Sequence, residues 1–318
     1  MTRTGFVHQA LCYGADEEFL EGALGYVREG LEAGDALLAV VAGGNIDLLR
    51  DALGGAAREV EFIDCLDWYH YPSRTLGQYH AYCAAREQGG ARRVRVIGEP
   101  VWTGRTTLEV QEWMRYESLL NVAFAESGHW ILCPYDTRAL PEAVITTARR
   151  THPELAVGDD ALLRNDRYAA PADFYAECDE AEREPAAPAF REAAEIPFER
   201  GRTAVARAAA AEFARGRALA EGRVQDLVVA VHETVVNAIR FGGGHGVLRL
   251  WSEPEYLVCE IADSGCGHLP SVPAFPGHLP PAPRAASGHG LWVVRQLSDV
   301  MTERIGPEGS LVRLYFRR

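Results

Sequence analysis

Two spacings of apolar and polar residues divide the chain. Over roughly the first 150 residues, short apolar runs alternate with segments whose apolar positions recur every three to four residues. FVHQALCYG and ALLAVV read as strands, and the DEEFLEGALGYVREGLEAG between them reads as a helix. A helix at 45–53, a strand REVEFID, a helix at 73–88 and a strand VRVIGEP come next, then a long helix at 106–127, a strand WILCPYD and a helix at 138–150. Strands and helices of these lengths in alternation predict a parallel sheet covered on both faces, an α/β domain of the doubly wound, RecA- or flavodoxin-like kind. The last 120 or so residues differ. Alanine-rich helices are expected at 202–218 and 223–240, followed by a hairpin of GVLRLWS and YLVCEIAD around EPE. A proline- and glycine-rich stretch at 268–287, a helix at 291–297 and the paired strands VMTERIG and SLVRLYFRR complete this half, which predicts a two-layer α/β sandwich on an antiparallel or mixed sheet.

Between the halves, residues 159–197 hold eleven acids against four arginines, with alanine and proline in the gaps. That texture reads as an acidic linker with a docked portion at DRYAAPADFY. The expected division is therefore 1–158, 159–197 and 198–318. The net charge of −13 argues against a general nucleic-acid or anionic-membrane binder, which needs a cationic field. All thirty-two basic residues are arginine, so Schiff-base lysine chemistry, pyridoxal phosphate and a GxxxxGK[ST] phosphate loop are excluded. The N-terminus lacks a signal-peptide pattern, and the longest apolar run, ALLAVVAGG, is about half of the ~20 residues a membrane span needs. Seven scattered cysteines without a CxxC pair read as reduced thiols, and a cytoplasmic protein with no membrane contact is expected.

Three segments of the second half carry chemistry together. In VVAVHETVVNAIRFGGG, Glu233 and Asn237 lie one turn apart on one helix face, where a carboxylate can act as a general base and an amide oxygen can ligate Mg²⁺. In EIADSGCG, Asp263 ends a strand and can accept a hydrogen bond from an exocyclic amine such as that of adenine, while Gly265 and Gly267 let the backbone turn tightly. In SGHGLWVVRQLSD, Gly288 and Gly290 precede a helix whose free N–H groups can face phosphate. Each segment alone also reads as ordinary structure: a solvated helix face, a turn, a glycine-rich helix entry. In this order and this close together, they predict a nucleotide site.

ExxxNA at 233–238, DxGxG at 263–267 and GxGL at 288–291 resemble the N, G1 and G2 boxes of the GHKL (Bergerat-fold) ATPases. Within that group the chain looks most like the anti-sigma-factor serine kinases, over residues 198–318. The resemblance implies ATP and Mg²⁺ as cofactors, Glu233 as general base toward a protein serine, Asn237 as the Mg²⁺ ligand and Asp263 on the adenine amine. It also implies Gly265, Gly267, Gly288, Gly290 and Leu291 around the nucleotide, a lid over 268–287 with Arg284 as its cationic contact, and a homodimer. Phe241 stands where the family often has histidine, and the lid carries a single arginine. The first half, with GEP at 98–100 and WILCPYD, resembles the methanogen/methylotroph-type (MEDS) sensory domains.

Weaker signals remain in the first half. His8 and Cys12 share a strand face, and His80 and Cys83 share a helix face with Cys65 and His70 upstream, but no compact pair fixes a metal set. DWYHYP at 67–72 reads as cover for a sheet edge or a domain interface, and Trp102, Trp113 and Trp130 as core or interface. Glu99, at the carboxyl end of its strand, stands where open α/β sheets place ligands and is the candidate sensor residue. His152 lies beside a proline, outside any paired-helix pattern, which argues against a phosphoacceptor. The sequence thus predicts an anti-sigma-type regulator that senses a signal, binds ATP and Mg²⁺, phosphorylates a serine or threonine of an antagonist protein and sequesters a sigma factor. Two alternatives stand beside it: an ATP-dependent binding module without chemistry, and a sensor that hydrolyses ATP slowly.

Overall fold

A computed structural model describes residues 5–157, 161–181, 193–267, 275–281 and 289–318. They fall into two compact units, Met1–Arg183 and Glu184–Arg318. In the first unit, β1 (Val7–Tyr13), α1 (Asp16–Ala33), β2 (Ala36–Val41) and α2 (Gly43–Leu53) lead through a 3₁₀ turn into β3 (Val60–Asp64), α3 (Cys65–Trp68) and α4 (Pro72–Gln88). Then come β4 (Val94–Gly98), α5 (Thr107–Ala123), β5 (Trp130–Asp136), α6 (Glu142–Thr151), β6 (Glu154–Val157), β7 (Ala161–Arg164) and α7 (Pro171–Ala181).

The strands order as β3-β2-β4-β5-β1-β6-β7, parallel throughout except for β7. Successive side chains alternate between the faces of such a sheet. Ala10, Ile131, Cys133 and Tyr135 pack under α4, α5 and α6, whereas Val7, Leu11, Leu37, Ala39 and Leu132 pack under α1 and α2. This is the doubly wound sheet that the alternating pattern predicts. α5 starts where a capping box forms: Thr106 Oγ1 accepts the Glu109 N–H at 3.2 Å and Glu109 Oε2 accepts the Thr106 N–H at 2.9 Å. α6 begins at Glu142, later than the pattern suggests, because Pro141 occupies its N-cap.

Arg95 is a charged residue at the centre of this sheet. Its guanidinium donates to Asp35 Oδ2 at 2.8 Å and to Glu29 Oε2 at 2.9 Å, and stacks 4.1 Å from the Trp130 ring centre. Removing one partner of a buried pair strands the other charge, at a cost of ~3–5 kcal/mol. Arg95→Met is therefore expected to lower the unfolding free energy of the first unit by about that amount, read from denaturant melts; an unchanged midpoint would show that Asp35 is satisfied by Arg93, 3.7 Å away.

The second unit comprises β8 (Ala194–Glu199), α8 (Thr203–Arg215), α9 (Glu221–Phe241), β9 (His245–Ser252), β10 (Tyr256–Asp263), α10 (His289–Leu297), β11 (Val300–Gly306) and β12 (Gly309–Arg317). Its sheet, β11-β12-β10-β9-β8, is antiparallel throughout. One face, with Phe198, Leu248, Leu257, Cys259, Ile261, Leu314 and Phe316, packs against Ala206, Ala210, Leu227, Val231, Val235 and Val294 of the helices. This is the two-layer sandwich, with the three helices on one side.

Much of the acidic span at 159–197 is folded. β7 and α7 belong to the first unit, where Phe174 and Tyr175 are buried and Arg150 pairs with Glu177 at 2.9 Å. β8 forms the edge of the second sheet and buries Phe198. Residues 158–160 and 182–192 lie outside the described residues.

Candidate functional site

α9 is a long alanine- and valine-rich helix whose apolar face is fixed in the core by Val224, Leu227, Val231 and Val235. That anchoring leaves Glu233 and Asn237, one turn apart, on a half-buried flank. The start of α10 packs opposite. A methyl group on Gly290 would stand 3.3 Å from both Glu233 Oε2 and Asn237 Nδ2, close enough that those side chains would have to give way by a few tenths of an ångström. The first turn of α10 carries the positive end of the helix dipole. A carboxylate, an amide and a helix N-terminus therefore meet at one point, as the first and third motifs predict.

Asp263 ends β10 beside the last turn of the same helix. A methyl on Gly242, which caps α9, would fall 2.1–2.4 Å from the Asp263 carboxyl atoms. Gly242 follows Asn237 by five residues, which is ~7.5 Å along a helix axis. The acid, the amide and the strand-end aspartate thus line the C-terminal half of α9. Asp263 Oδ1 accepts the Gly265 N–H at 2.9 Å and the Ser310 N–H at 3.2 Å, and Oδ2 accepts the Ser310 hydroxyl. Gly265 and Gly267 both take positive φ, 70° and 72°, as a tight DxGxG turn requires. Gly242→Ala is expected to push the Asp263 carboxyl aside and weaken nucleotide binding several-fold while the unit stays folded, as seen by titration alongside circular dichroism; unchanged affinity would remove Asp263 from the site.

The proline- and glycine-rich stretch is docked at its middle. Residues 275–281 run along α10: Arg295 Nε, in its last turn, donates to Pro276 O at 3.0 Å, and Gly277 leaves no room for a Cβ against Leu291 near its start. Arg284 and Gly288 lie outside the described residues. A cavity at the β8 edge touches Asp263 and Ser264, but its other walls include Pro197, Glu199, Arg202 and His245, with none of Glu233, Asn237 or Gly290. The predicted groups are joined through α9, not through that cavity.

One contributor escaped the sequence reading: Ser310 reaches Asp263 only because the β10–β12 register pairs those two residues.

In the first unit, Glu99 sits at the strand ends as expected. Its carboxylate accepts the Ala42 N–H and the Asn45 amide, both at 2.9 Å, and the Tyr13 hydroxyl at 3.3 Å. Trp102, Trp113 and Trp130 are buried. The DWYHYP segment enters the core rather than capping an edge: Tyr69 is buried, its hydroxyl 2.6 Å from that of Tyr79 and its ring against Trp113. The cysteine and histidine pairs suggested by spacing form no ligand set among the described residues. Cys65 and Cys83 are core residues, and His80 stacks on Phe124 with ring centres 4.5 Å apart. His152 is fully buried, which excludes it as a solvent-facing phosphoacceptor.

Fold and site together define the second unit as a GHKL-type ATPase domain. Comparison with protein families agrees: residues 196–316 match the histidine kinase-like ATPase domain, and residues 7–153 match MEDS, the methanogen/methylotroph, DcmR sensory domain. The chain carries a MEDS sensory domain followed by a histidine kinase-like ATPase domain. No curated protein matches it. Among the described residues, no helix is long and apolar enough to cross a membrane.

Proposed function

We propose that the chain is a cytoplasmic anti-sigma-type regulator. Its MEDS domain receives a signal; its ATPase domain binds ATP with Mg²⁺, phosphorylates a serine or threonine of an antagonist protein and sequesters a sigma factor, as a homodimer. The observation that carries this reading is the meeting of Glu233, Asn237 and the α10 N-terminus at Gly290, with Asp263 at the end of the same helix. The residues fit the cofactors chemically. Asn237 offers a hard oxygen to Mg²⁺, Gly290 leaves the helix start open to phosphate, and the Asp263 carboxylate can accept from the adenine amine. Bound ATP supplies the phosphoryl group, and Mg²⁺ offsets its charge. Glu233 takes the proton of the acceptor hydroxyl as that oxygen bonds to the γ-phosphorus and the bond to the ADP oxygen breaks.

Phe241 favours a second reading, in which the domain binds ATP and a partner without transfer, because an exposed phenyl ring stands where the resembled kinases often place an imidazole. The two separate when the full chain is incubated with γ-labelled ATP, Mg²⁺ and candidate antagonist proteins. Label on an antagonist serine or threonine, lost in Glu233→Ala, supports the kinase. ATP retention without transfer to any partner supports the binding module, and phosphate release without protein label supports a slow hydrolase.

A further inference from the structure

Four side chains that the nucleotide reading does not use converge inside the MEDS domain. They are His8 on β1, Glu117 on α5, Cys133 on β5 and His152 at the end of α6. All four are buried, and one ligand atom from each lies within 4.8 Å of every other. His152 Nε2 stands 3.5 Å from Glu117 Oε2, Cys133 Sγ 3.5 Å from His8 Nε2, and His8 Nε2 3.9 Å from Glu117 Oε2. Ligand atoms 2.0–2.3 Å from a tetrahedral centre stand about 3.3–3.8 Å apart, so these edges already have nearly the size of a four-coordinate metal site.

The hydrogen bonds behind the four groups matter as much as the distances. His152 Nδ1 lies 2.8 Å from the Ala148 carbonyl oxygen, which can only accept, so the proton sits on Nδ1 and Nε2 offers a lone pair. His8 Nδ1 lies 3.1 Å from Asn121 Oδ1, and the Asn121 amide is held in that sense because its Nδ2 donates to Thr151 O at 2.7 Å and Ser118 O at 3.2 Å. Both imidazoles therefore aim a bare nitrogen at the same point, with the outer nitrogen anchored as in metal-bound histidines. Glu117 adds a carboxyl that faces the Cys133 thiol and the Tyr135 hydroxyl without a well-formed hydrogen bond to either, and His152 Nε2 has no partner. Acceptors facing acceptors in a dry core repel unless a proton or a cation lies between them.

We propose that His8 Nε2, Glu117 Oε2, Cys133 Sγ and His152 Nε2 form a tetrahedral site for a divalent transition-metal cation of the Zn²⁺ kind. The ligand set is nitrogen, nitrogen, sulfur and oxygen, which suits a borderline cation and is too soft for Mg²⁺ or Ca²⁺. The charge also closes: the thiol and the carboxyl each release a proton to solvent on binding, and one thiolate, one carboxylate and a 2+ ion sum to zero. With all four protein ligands in place and no open position, the site resembles structural rather than catalytic zinc. Occupancy ties α5 and the end of α6 to the sheet strands β1 and β5, which gives the sensory domain a state that depends on the metal. This inference is independent of the nucleotide reading, since its residues all lie in the first unit.

The test uses the full chain without a polyhistidine tag, purified without chelator. Elemental analysis is expected to find about one transition-metal ion per chain. After stripping in denaturant and refolding with Co²⁺ alone, the protein should show the visible bands of four-coordinate cobalt and a near-ultraviolet thiolate-to-cobalt band. Cys133→Ser should lose the thiolate band, while Cys12→Ser, on the same strand as His8 but outside the cluster, should keep it. Asn121→Ala, which releases the outer nitrogen of His8, should weaken Co²⁺ binding ~10- to 100-fold. Only trace metal in the wild-type chain together with no cobalt spectrum after refolding would overturn the site, leaving a neutral proton-linked cluster. A thiolate band that persists in Cys133→Ser would overturn it as well, and the wild-type result decides even if that variant fails to fold.

Discussion

Glu233→Gln is expected to lower phosphoryl transfer to a protein acceptor by ~10²- to 10⁴-fold while changing ATP affinity by no more than about threefold. The amide keeps the size of the side chain beside Gly290 and the geometry of α9, but it cannot take a proton. A general base acts in the transition state, so its loss appears in the rate of the chemical step and not in binding. Single-turnover transfer with saturating ATP, set beside an equilibrium titration, separates the two effects. Equal rates for both proteins would remove Glu233 from the chemistry, and a large loss of affinity would recast it as part of the binding surface.

Asp263→Asn should have the opposite signature. Its Oδ1 can go on accepting the Gly265 and Ser310 N–H groups, so the turn keeps its shape. The second oxygen becomes an NH₂ group, which accepts neither the Ser310 hydroxyl nor an adenine amine. Hydrogen bonds to a charged group contribute ~1.5–3 kcal/mol, so ATP affinity should fall ~10- to 100-fold. Preference for ATP over GTP should narrow too, because guanine carries an oxygen where adenine carries its amine and the amide can donate to it. Competition between the two nucleotides measures this. An affinity and a preference that both survive the substitution would mean that Asp263 serves only its turn.

How far the sequence foretells this molecule depends on how local each signal is. α9 and the hairpin of β9 and β10 are legible because their periodicity is long, and the helix and strand-end motifs then place Glu233, Asn237 and Asp263 by simple geometry. β8 is hidden: it carries Pro197, which an edge strand tolerates, and Phe198 is its one buried residue, so no alternation announces it. β7 and α7 are masked by acidic composition, which describes their exposed side and not the Phe174 and Tyr175 that dock them. Ser310 depends on strand register, a property of two distant segments at once.

The four-residue cluster of the sensory domain is the extreme case. Each member comes from a different element, and no two are near in sequence. Spacing pairs His8 with Cys12 on its own strand, whereas the fold pairs it with Cys133 on the neighbouring strand, where Cys133 stands opposite Ala10. His152 reads as a helix end beside a proline, and nothing local reveals that the sheet turns it toward Glu117. Motif reading works where one element carries the chemistry and fails where the tertiary fold assembles it.

α9, the end of β10 and the start of α10 are expected to enclose one adenine nucleotide. Equilibrium titration of the full chain with ATP in the presence of Mg²⁺ tests it most directly, with thermal denaturation as a parallel readout. One saturable site per chain is expected. At a hundredfold excess over the dissociation constant, the nucleotide should stabilise the ATPase domain by ~2.7 kcal/mol, and Asp263→Asn should lose ~1.3–2.3 kcal/mol of that gain at the same concentration. A folded chain that shows neither binding heat nor a shift in melting temperature at millimolar ATP would contradict the account.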